Sequence, residues 1–490
     1  MLLGGTDDDA RLMAAAEEGA GAAASRAAAP GGWWSLEEAA VQLGASEPAL
    51  KLFVSIILGY PFAFFHRWFL RGRGPHLVHY YNSVLGLWMA YFNFGWHMLH
   101  SLACVVVQFL ILRLMGRTVT CIASTFLFQM AYLSAGYYFT ATEQYDIKWT
   151  MPHCVLTLKL IGLALDYYDG RKDKSILSQE QQQHALRECP GLLEVTGFAY
   201  FYGAFLVGPQ FSLSRYLRSV TPRPEGERPS SLLPAARRLC LGMVYVAIFT
   251  VAKPFYPDEY LLTDAFAGRS LGYKCLYIAL WGKVSLTKYV SCWLVAEGVC
   301  ILTELAYNGV DESGRPLWDG CTNIRVWLFE STLYFRGTIA GFNIQTNLWS
   351  SRCIFKRLKF LGNKLLSQVL TLLFLSVWHG MHSGYFMCFF MEFLIVYHED
   401  QMLKLAAEST LLSRLTASAK LRPLVCVVMQ AFHWLFMGYS LLPFCLLSWE
   451  KWVPVYQSVY FLGHVIFFGN LLLLPLHRKL LRPSKQRKAD

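Results

Sequence analysis

Long apolar segments are the feature that most constrains what this chain can fold into. About eleven windows follow one another, and each is close to or longer than the ~20 residues that an α-helix needs to cross a bilayer. They are continuous runs of Leu, Val, Phe and Ile rather than short alternating segments, a pattern that disfavours a β-barrel. The sequence therefore predicts an all-α polytopic membrane protein with about eleven hydrophobic helices. The windows lie at about 50–70, 77–96, 98–115, 118–139, 151–167, 193–213, 237–255, 271–307, 366–397, 423–447 and 455–476.

The composition excludes a soluble globular protein. Of the 490 residues, 55 % are hydrophobic and only 16 % are charged, whereas soluble domains carry about a quarter charged residues. The 44 Lys and Arg residues outnumber the 33 Asp and Glu residues and give a net charge of +11. In a membrane protein such an excess lies mainly in cytoplasmic loops, so we predict a lipid environment and no nucleic-acid partner.

The chain divides into three regions by composition. Residues 1–32 are rich in Ala and Gly and too weakly patterned to bury a core, which predicts a disordered N-terminus. Residues 33–476 are predicted to form the membrane-embedded domain, and residues 477–490 a basic tail. Because cationic flanks stay on the cytoplasmic side, the tail is predicted to be cytosolic. Its basic residues are Arg478, Lys479, Arg482, Lys485, Arg487 and Lys488.

The sixth window, 193–213, breaks the simple alternation of sides. If it crossed the bilayer, the arginines between residues 215 and 238 would fall on the lumenal side. Gly203, Gly208 and Pro209 favour instead a re-entrant hairpin whose irregular backbone is buried in protein. One crossing is then unassigned, and we expect it within the long window 271–307.

The absence of several motifs disfavours some classes of enzyme. The 13 Cys residues include no C-x-x-C pair, and no His pair has the i,i+4 spacing of a helical metal site, so no metal is predicted. The Walker A and H-E-x-x-H motifs are also absent, which disfavours an NTPase and a zinc protease.

His379 is the strongest candidate for chemistry inside an apolar segment. It lies in the run Trp378-His379-Gly380, within the window 366–397. Polar residues are costly in the membrane and by default suggest a functional site, and histidine can take and return a proton near neutral pH. The alternative is a structural histidine that donates to a carbonyl group on a neighbouring helix.

Asn343 belongs to a cluster of amides between aromatic residues at 342–349. Amides can donate to an oxyanion or orient a hydroxyl group without carrying charge. The alternative is an interfacial turn or a helix cap.

A basic, amphipathic stretch lies between these two features. One interpretation is an interfacial helix on anionic lipid headgroups. The other is a site for the phosphates of a nucleotide-bearing cosubstrate, for which clustered Arg and Lys side chains are suited. The basic residues are Arg352, Lys356, Arg357, Lys359 and Lys364.

Asn343, the Trp378-His379-Gly380 run and several longer segments resemble the membrane-bound O-acyltransferase family. The resemblance is to its type-3 lysophosphatidylcholine acyltransferase branch and extends from about residue 44 onward. The segments that carry it are YFNFG at 91–95, VQFLILRLMGR at 107–117, DIKWTMPHCVLTLKLIGLA at 146–164, FYGAFLVGPQFS at 201–212 and IFKRLKFLGNK at 354–364.

This resemblance implies transfer of a fatty acyl group, preferably polyunsaturated, from acyl-CoA to the sn-2 hydroxyl of lysophosphatidylcholine and related lysophospholipids. It also implies a buried catalytic chamber, with His379 as the base and Asn343 as its partner. The stretch 352–364 would bind CoA, an acyl-CoA cosubstrate rather than a permanently bound cofactor. The partners would be the lysophospholipid, acyl-CoA and membrane lipids, at the endoplasmic reticulum membrane with a cytosolic C-terminus.

Two other functions remain open at this stage. Some members of the family acylate peptides or proteins, and His379 and Asn343 do not distinguish them. A proton-coupled transporter would use His379 and the intramembrane Glu297 as proton relays. The sequence also leaves the oligomeric state open, including a homodimer.

Overall fold

The computed structural model describes residues 35–42, 44–142, 146–221, 229–409 and 418–481. The predicted disordered N-terminus, 1–32, lies outside the described residues, as do Arg482, Lys485, Arg487 and Lys488 of the tail. Within the described ranges the regular structure is helical, which confirms the all-α class. The extended pairings seen there are the isolated bridges Val310–Pro316 and Ile324–Phe342.

Contacts divide the chain into two compact units, residues 1–51 and residues 52–490. In the first unit, a short helix begins with a capping box, because Ser35 Oγ accepts the Glu38 N–H at 3.1 Å and Glu38 Oε2 accepts the Ser35 N–H at 2.9 Å. The α-helices of the described residues are α1 Leu36–Gln42, α2 Glu47–Phe65, α3 Pro75–Phe94, α4 Met98–Met115, α5 Val119–Thr140, α6 Thr150–Asp169, α7 Gln179–His184, α8 Leu192–Ala199, α9 Leu213–Val220, α10 Leu232–Ala252, α11 Asp264–Ala267, α12 Leu271–Leu302, α13 Val326–Ser331, α14 Phe335–Gly341, α15 Ile344–Cys353, α16 Lys364–His379, α17 Ser383–Glu408, α18 Arg422–Leu446, α19 Trp449–Ser458, α20 Leu462–Leu472 and α21 Leu474–Leu481.

Six helical segments of the described ranges are long and apolar enough to cross a membrane, or seven if the pair α19 and α20, bent by 71°, forms one span. The predicted count of about eleven is therefore not confirmed. Apolar windows also arise where a helix is buried in protein, as in α6, or where two short helices meet at a break. The six segments are Glu47–Leu70, Pro75–Met115, Val119–Thr140, Leu232–Leu262, Leu271–Leu302 and Arg422–Leu446.

The window 271–307 contains one continuous helix, α12, and no second crossing. The expectation that the unassigned crossing lies there was wrong. Most of α12 is buried in protein, which a hydropathy pattern cannot distinguish from burial in lipid. The helix packs on α18, where Gly282 and Gly438 allow close approach of the two backbones.

The sixth window, 193–213, is broken as predicted. α8 ends at Ala199, and an irregular stretch runs over residues 200–212 before α9 begins. This stretch is almost wholly buried in protein, as a re-entrant segment requires. Its Tyr200 carbonyl lies against Gly86 of α3, where an added Cβ would come within 1.8 Å of the oxygen.

The window 366–397 is also broken, and this break positions the candidate site. α16 ends at His379, residues 380–382 turn the chain, and α17 begins at Ser383. A small apolar cluster lies beneath the break and joins α5, α6, α15 and α16. Its buried members include Leu133, Leu158, Ile161, Trp349 and Trp378.

Candidate active site

His379 is the last residue of α16, and the helix ends there because Gly380 adopts a φ of +141°. The Gly380 N–H donates to the carbonyl oxygens of Ser376 and Val377, both at 3.2 Å. Four aromatic rings surround the imidazole. Their centroids lie 4.4 Å away for Trp378, 5.8 Å for Tyr385, 5.5 Å for Phe389 and 5.0 Å for Phe444.

Two hydrogen bonds fix this helix end to its neighbours. The Trp378 indole Nε1–H donates to the Cys154 carbonyl of α6 at 2.7 Å. The Tyr137 hydroxyl of α5 donates to the Trp378 carbonyl at 2.8 Å. Because both bonds involve the residue next to His379, they restrict the movement of the imidazole.

Asn343 occupies the turn between α14 and α15. Its backbone is left-handed, with φ 49° and ψ 43°, a conformation that asparagine tolerates better than most residues. The preceding segment, residues 322–325, runs alongside this turn. The Ile344 N–H donates to the Asn323 carbonyl at 3.1 Å, and the Arg325 N–H donates to the Gly341 carbonyl at 2.8 Å.

His379 and Asn343 line the same two cavities, although 36 positions separate them along the chain. The first cavity has a volume of about 370 Å³ and extends toward the polar residues Thr142, Asp146 and Lys148. The second, of about 230 Å³, is apolar except for a few groups. Its apolar lining includes Leu286, Ile339, Phe389, Ile395, Val396 and Leu441.

A third cavity, of about 300 Å³, adjoins the first through Gln210, which lines both. Its lining is polar and includes Arg215, Arg325 and Arg352. His184 lines it as well, with Nδ1 2.9 Å from Ser212 Oγ. Burial, followed by the charges of Arg352, Arg215 and Arg218, lowers the pKa of His184 to about 3. The His184 ring is therefore neutral near pH 7, and the cavity's positive charge comes from arginine.

The five basic residues predicted to bind CoA do not form one amphipathic helix. Arg352 lies in α15 and is buried, where it pairs with Asp166. Arg357, in a 3-10 segment, donates to Asp169 Oδ1 at 3.1 Å and to Oδ2 at 2.5 Å.

The other three side chains of this set are exposed. Lys356 pairs with Glu180 of α7. Lys359 and Lys364 are exposed at the end of the 3-10 segment and at the start of α16. The basic stretch thus has a structural part, Arg352 and Arg357, which binds α6, and an exposed part, of which Lys356 binds α7.

Sequence reasoning missed two polar residues of the site, Asn323 and Gln210. Both lie in irregular segments, so no periodic pattern marks them. It also singled out Glu297, with Lys288 as its suggested ion-pair partner, and missed Arg238 and Thr322. Glu297 is fully buried in α12, accepts from the Thr322 hydroxyl at 2.6 Å and lies 3.2 Å from Arg238. Its neighbours identify Glu297 as part of the scaffold around residues 322–323.

The helical membrane fold agrees with the comparison to known proteins. A model described as the membrane-bound O-acyltransferase family matches residues 134–442. The chain belongs to this family, which confirms the resemblance inferred from its motifs.

Individual relatives match over most of their length. A Homo sapiens protein named lysophospholipid acyltransferase 5 is 56 % identical over 456 residues, covering 92 % of this chain and 94 % of that protein. The Mus musculus protein of the same name is 57 % identical over 457 residues, with coverage of 92 % and 94 %. That of Drosophila melanogaster is 37 % identical over 436 residues, with 87 % of both chains covered.

Proposed function

We propose that this protein transfers a fatty acyl group from acyl-CoA to the free sn-2 hydroxyl of a lysophospholipid, chiefly lysophosphatidylcholine, with polyunsaturated donors preferred. The observation that carries this proposal is the convergence of His379 and Asn343 on two cavities, one polar at its far end and one apolar. Each of the two substrates combines a polar group with an acyl chain, so the site needs a polar cavity and an apolar cavity that share the reacting residues. The names of the relatives favour a lysophospholipid acceptor over a peptide.

The proposed reaction proceeds without an acyl-enzyme. A ring nitrogen of His379 takes the proton of the lysolipid hydroxyl as its oxygen attacks the thioester carbon, and the carbonyl electron pair moves to the carbonyl oxygen. Asn343 either orients the attacking hydroxyl group or stabilises the negative charge on the carbonyl oxygen. When the tetrahedral intermediate collapses, the C–S bond breaks and the CoA thiolate takes the proton from His379. The products are diacyl phospholipid and free CoA.

The aromatic rings around the imidazole suit the role of His379 as the base. Phe389, Phe444 and Trp378 exclude water from one side of the imidazole, which limits hydrolysis of the thioester. The second cavity fits an acyl chain, since most of its lining is apolar.

We propose that the phosphates of CoA bind on the face that carries the polar third cavity and the basic stretch 352–364. The exposed Lys359 and Lys364 are suited to contact phosphate directly. Arg352, Lys356 and Arg357 contribute positive potential there while also holding α6 and α7.

The same proposal includes the endoplasmic reticulum membrane as the site of action, with the C-terminus in the cytosol. A cytosolic C-terminus agrees with the basic residues Arg478 and Lys479 of α21. A homodimer is included as the oligomeric state to test by light scattering of the detergent-solubilised protein.

The test is phosphatidylcholine formation from arachidonoyl-CoA and lysophosphatidylcholine by the purified protein in detergent. Wild type is compared with His379→Ala and Asn343→Ala, each with a matched thermal unfolding profile. We expect turnover by the wild type, a loss of at least 100-fold for His379→Ala and a similar order of loss for Asn343→Ala. Wild-type turnover by His379→Ala would remove the base from its role, and no turnover by the wild type would contradict the acyl transfer itself.

The CoA site is tested separately. Lys359→Ala combined with Lys364→Ala should raise the KM for acyl-CoA several-fold, and the effect should shrink at high ionic strength, because salt screens exposed charges. The KM for the lysolipid should not change. An unchanged KM for acyl-CoA would exclude these two residues from the CoA site.

A further inference from the structure

We infer that Asn323 is a positioning residue that sets the orientation of the Asn343 amide, so that Asn343 offers the reacting atoms an N–H donor and not an acceptor. This inference rests on the proposed function of Asn343. The mechanism above leaves both polarities possible, because an amide group carries a donor at one end and an acceptor at the other.

The orientation of Asn323 follows from a backbone donor. The Gln345 N–H lies 3.0 Å from Asn323 Oδ1. A backbone N–H can only donate, so the Asn323 atom facing it must be the oxygen. Asn323 is 2 % exposed and lines the first cavity beside Asn343, so bulk water does not compete for this bond.

The orientation of Asn343 follows in turn. With Oδ1 of Asn323 bound to Gln345, its Nδ2 is the atom directed at Asn343, at 3.4 Å from Asn343 Oδ1. The bond is long, but its polarity is decisive, because an Asn343 nitrogen in that place would set two donors against each other. The Asn343 Nδ2 is therefore the end of the amide that remains for the cavities lined by this residue.

Hydrogen bonds to neighbouring residues fix Asn323 beside the turn that carries Asn343. The Asn323 carbonyl accepts the Ile344 N–H at 3.1 Å, and the Gln345 side-chain Nε2 donates to the Thr322 carbonyl at 3.1 Å. Thr322 is in turn fixed by the buried Glu297 carboxylate at 2.6 Å. Residues 322–323 thus hold the turn on the C-terminal side of Asn343, through Ile344 and Gln345.

A donor and an acceptor would serve different steps. An Asn343 N–H fits the thioester carbonyl oxygen, which becomes an oxyanion when the lysolipid oxygen attacks the carbon. An Asn343 oxygen would instead accept from the attacking hydroxyl and compete with His379 for its proton. The inferred polarity therefore assigns Asn343 to the oxyanion, a donor whose removal typically costs a factor of about 10²–10³ in kcat.

Asn323→Asp tests the inference, because it exchanges the Nδ2 donor for an oxygen. One carboxylate oxygen continues to accept the Gln345 N–H. The other faces Asn343 and turns its amide, so that Asn343 presents its oxygen to the cavity. We expect kcat to fall by about 100-fold, with the KM for each substrate within about twofold of wild type. Asn323→Ala, which lets the Asn343 amide adopt both orientations, should give a smaller loss and serves as the second variant.

The double variant separates positioning from damage to the fold. If Asn323 acts through Asn343, then adding Asn323→Asp to Asn343→Ala should change the residual turnover by less than about twofold. An equal loss in both backgrounds, or wild-type kcat in Asn323→Asp, would overturn the inference. Failure of the proposed function gives a different result: either the wild type shows no turnover, or His379→Ala and Asn343→Ala keep wild-type turnover whatever stands at position 323.

Discussion

Arg352 of α15 pairs with Asp166 of α6, and the two side chains are only 7 % and 2 % exposed. A buried ion pair is costly to break, because the remaining charge has no water around it. We predict that Asp166→Asn lowers the free energy of unfolding by about 3–5 kcal/mol. The measurement is thermal or denaturant unfolding of the detergent-solubilised protein.

The control for this prediction removes both charges. Asp166→Asn combined with Arg352→Met leaves no buried charge at this position and should recover part of the lost stability. If the double variant is less stable than Asp166→Asn alone, Arg352 has another partner that stabilises the fold.

Gly282 and Gly438 bring α12 and α18 into backbone contact. A Cβ added at Gly282 would lie 2.4 Å from the Gly438 Cα, which neither helix can avoid by turning a side chain. We predict that Gly282→Ala destabilises the protein by about 1–3 kcal/mol through overpacking. Gly272→Ala in the same helix is the matched control, because its Cβ meets nothing within 4 Å. The control should be neutral or stabilising, and equal effects of both variants would contradict the close-packing argument.

Gly380 ends α16 directly after the proposed base. Its φ of +141° is strained for any residue with a Cβ, and the added atom would lie 2.9 Å from the Tyr385 ring. We predict that Gly380→Ala displaces His379 and lowers kcat by at least tenfold, measured as phosphatidylcholine formation. Gly362→Ala also places a Cβ on a left-handed backbone, with φ +66°, but in open space. Its kcat should stay within about twofold of wild type, and a comparable loss would mean that strain alone explains the effect.

His184 should make the fold sensitive to acid. Its pKa is lowered from 6.5 to about 3 in the folded protein, so between these values the unfolded chain binds a proton that the folded chain does not. Stability therefore falls as pH decreases below 6.5, by about 1 kcal/mol between pH 6 and pH 5 for this group. We predict that His184→Gln reduces this decrease, measured by unfolding at the two pH values. The same pH dependence in the variant would assign it to other groups.

Much of the fold class and the two central residues could be predicted from the sequence. Apolar windows identify helices in a membrane protein, because each backbone polar group must be satisfied within its own segment. His379 stands out because polar groups are rare in such segments, and Asn343 because it belongs to a cluster of amides between aromatic residues. The break at Gly203–Pro209 also follows from local chemistry, because a cluster of glycine and proline disfavours a continuous helix. The break at Gly380 was not predicted, since 366–397 is one continuous apolar window in the sequence.

The number of spans could not be predicted in this way. α6 and α12 bury most of their surface in protein, and a protein-facing apolar side chain has the same hydropathy as a lipid-facing one. The ion-pair partners of charged residues could not be predicted from the sequence either. Asp166, the ion-pair partner of Arg352, lies 186 positions earlier in the chain, and no sequence pattern connects the two residues.

The sequence by itself determined that this protein is a helical membrane protein with one candidate base and one candidate amide, because those properties depend on residue type and local order. Only the tertiary structure decided what surrounds them. Asn323 precedes Asn343 by 20 positions in an irregular segment. Its importance depends on whether its side-chain nitrogen or oxygen faces the Asn343 Oδ1, 3.4 Å away. Hydrogen-bond polarity of this kind is a property of three-dimensional placement, and no periodicity in the sequence encodes it.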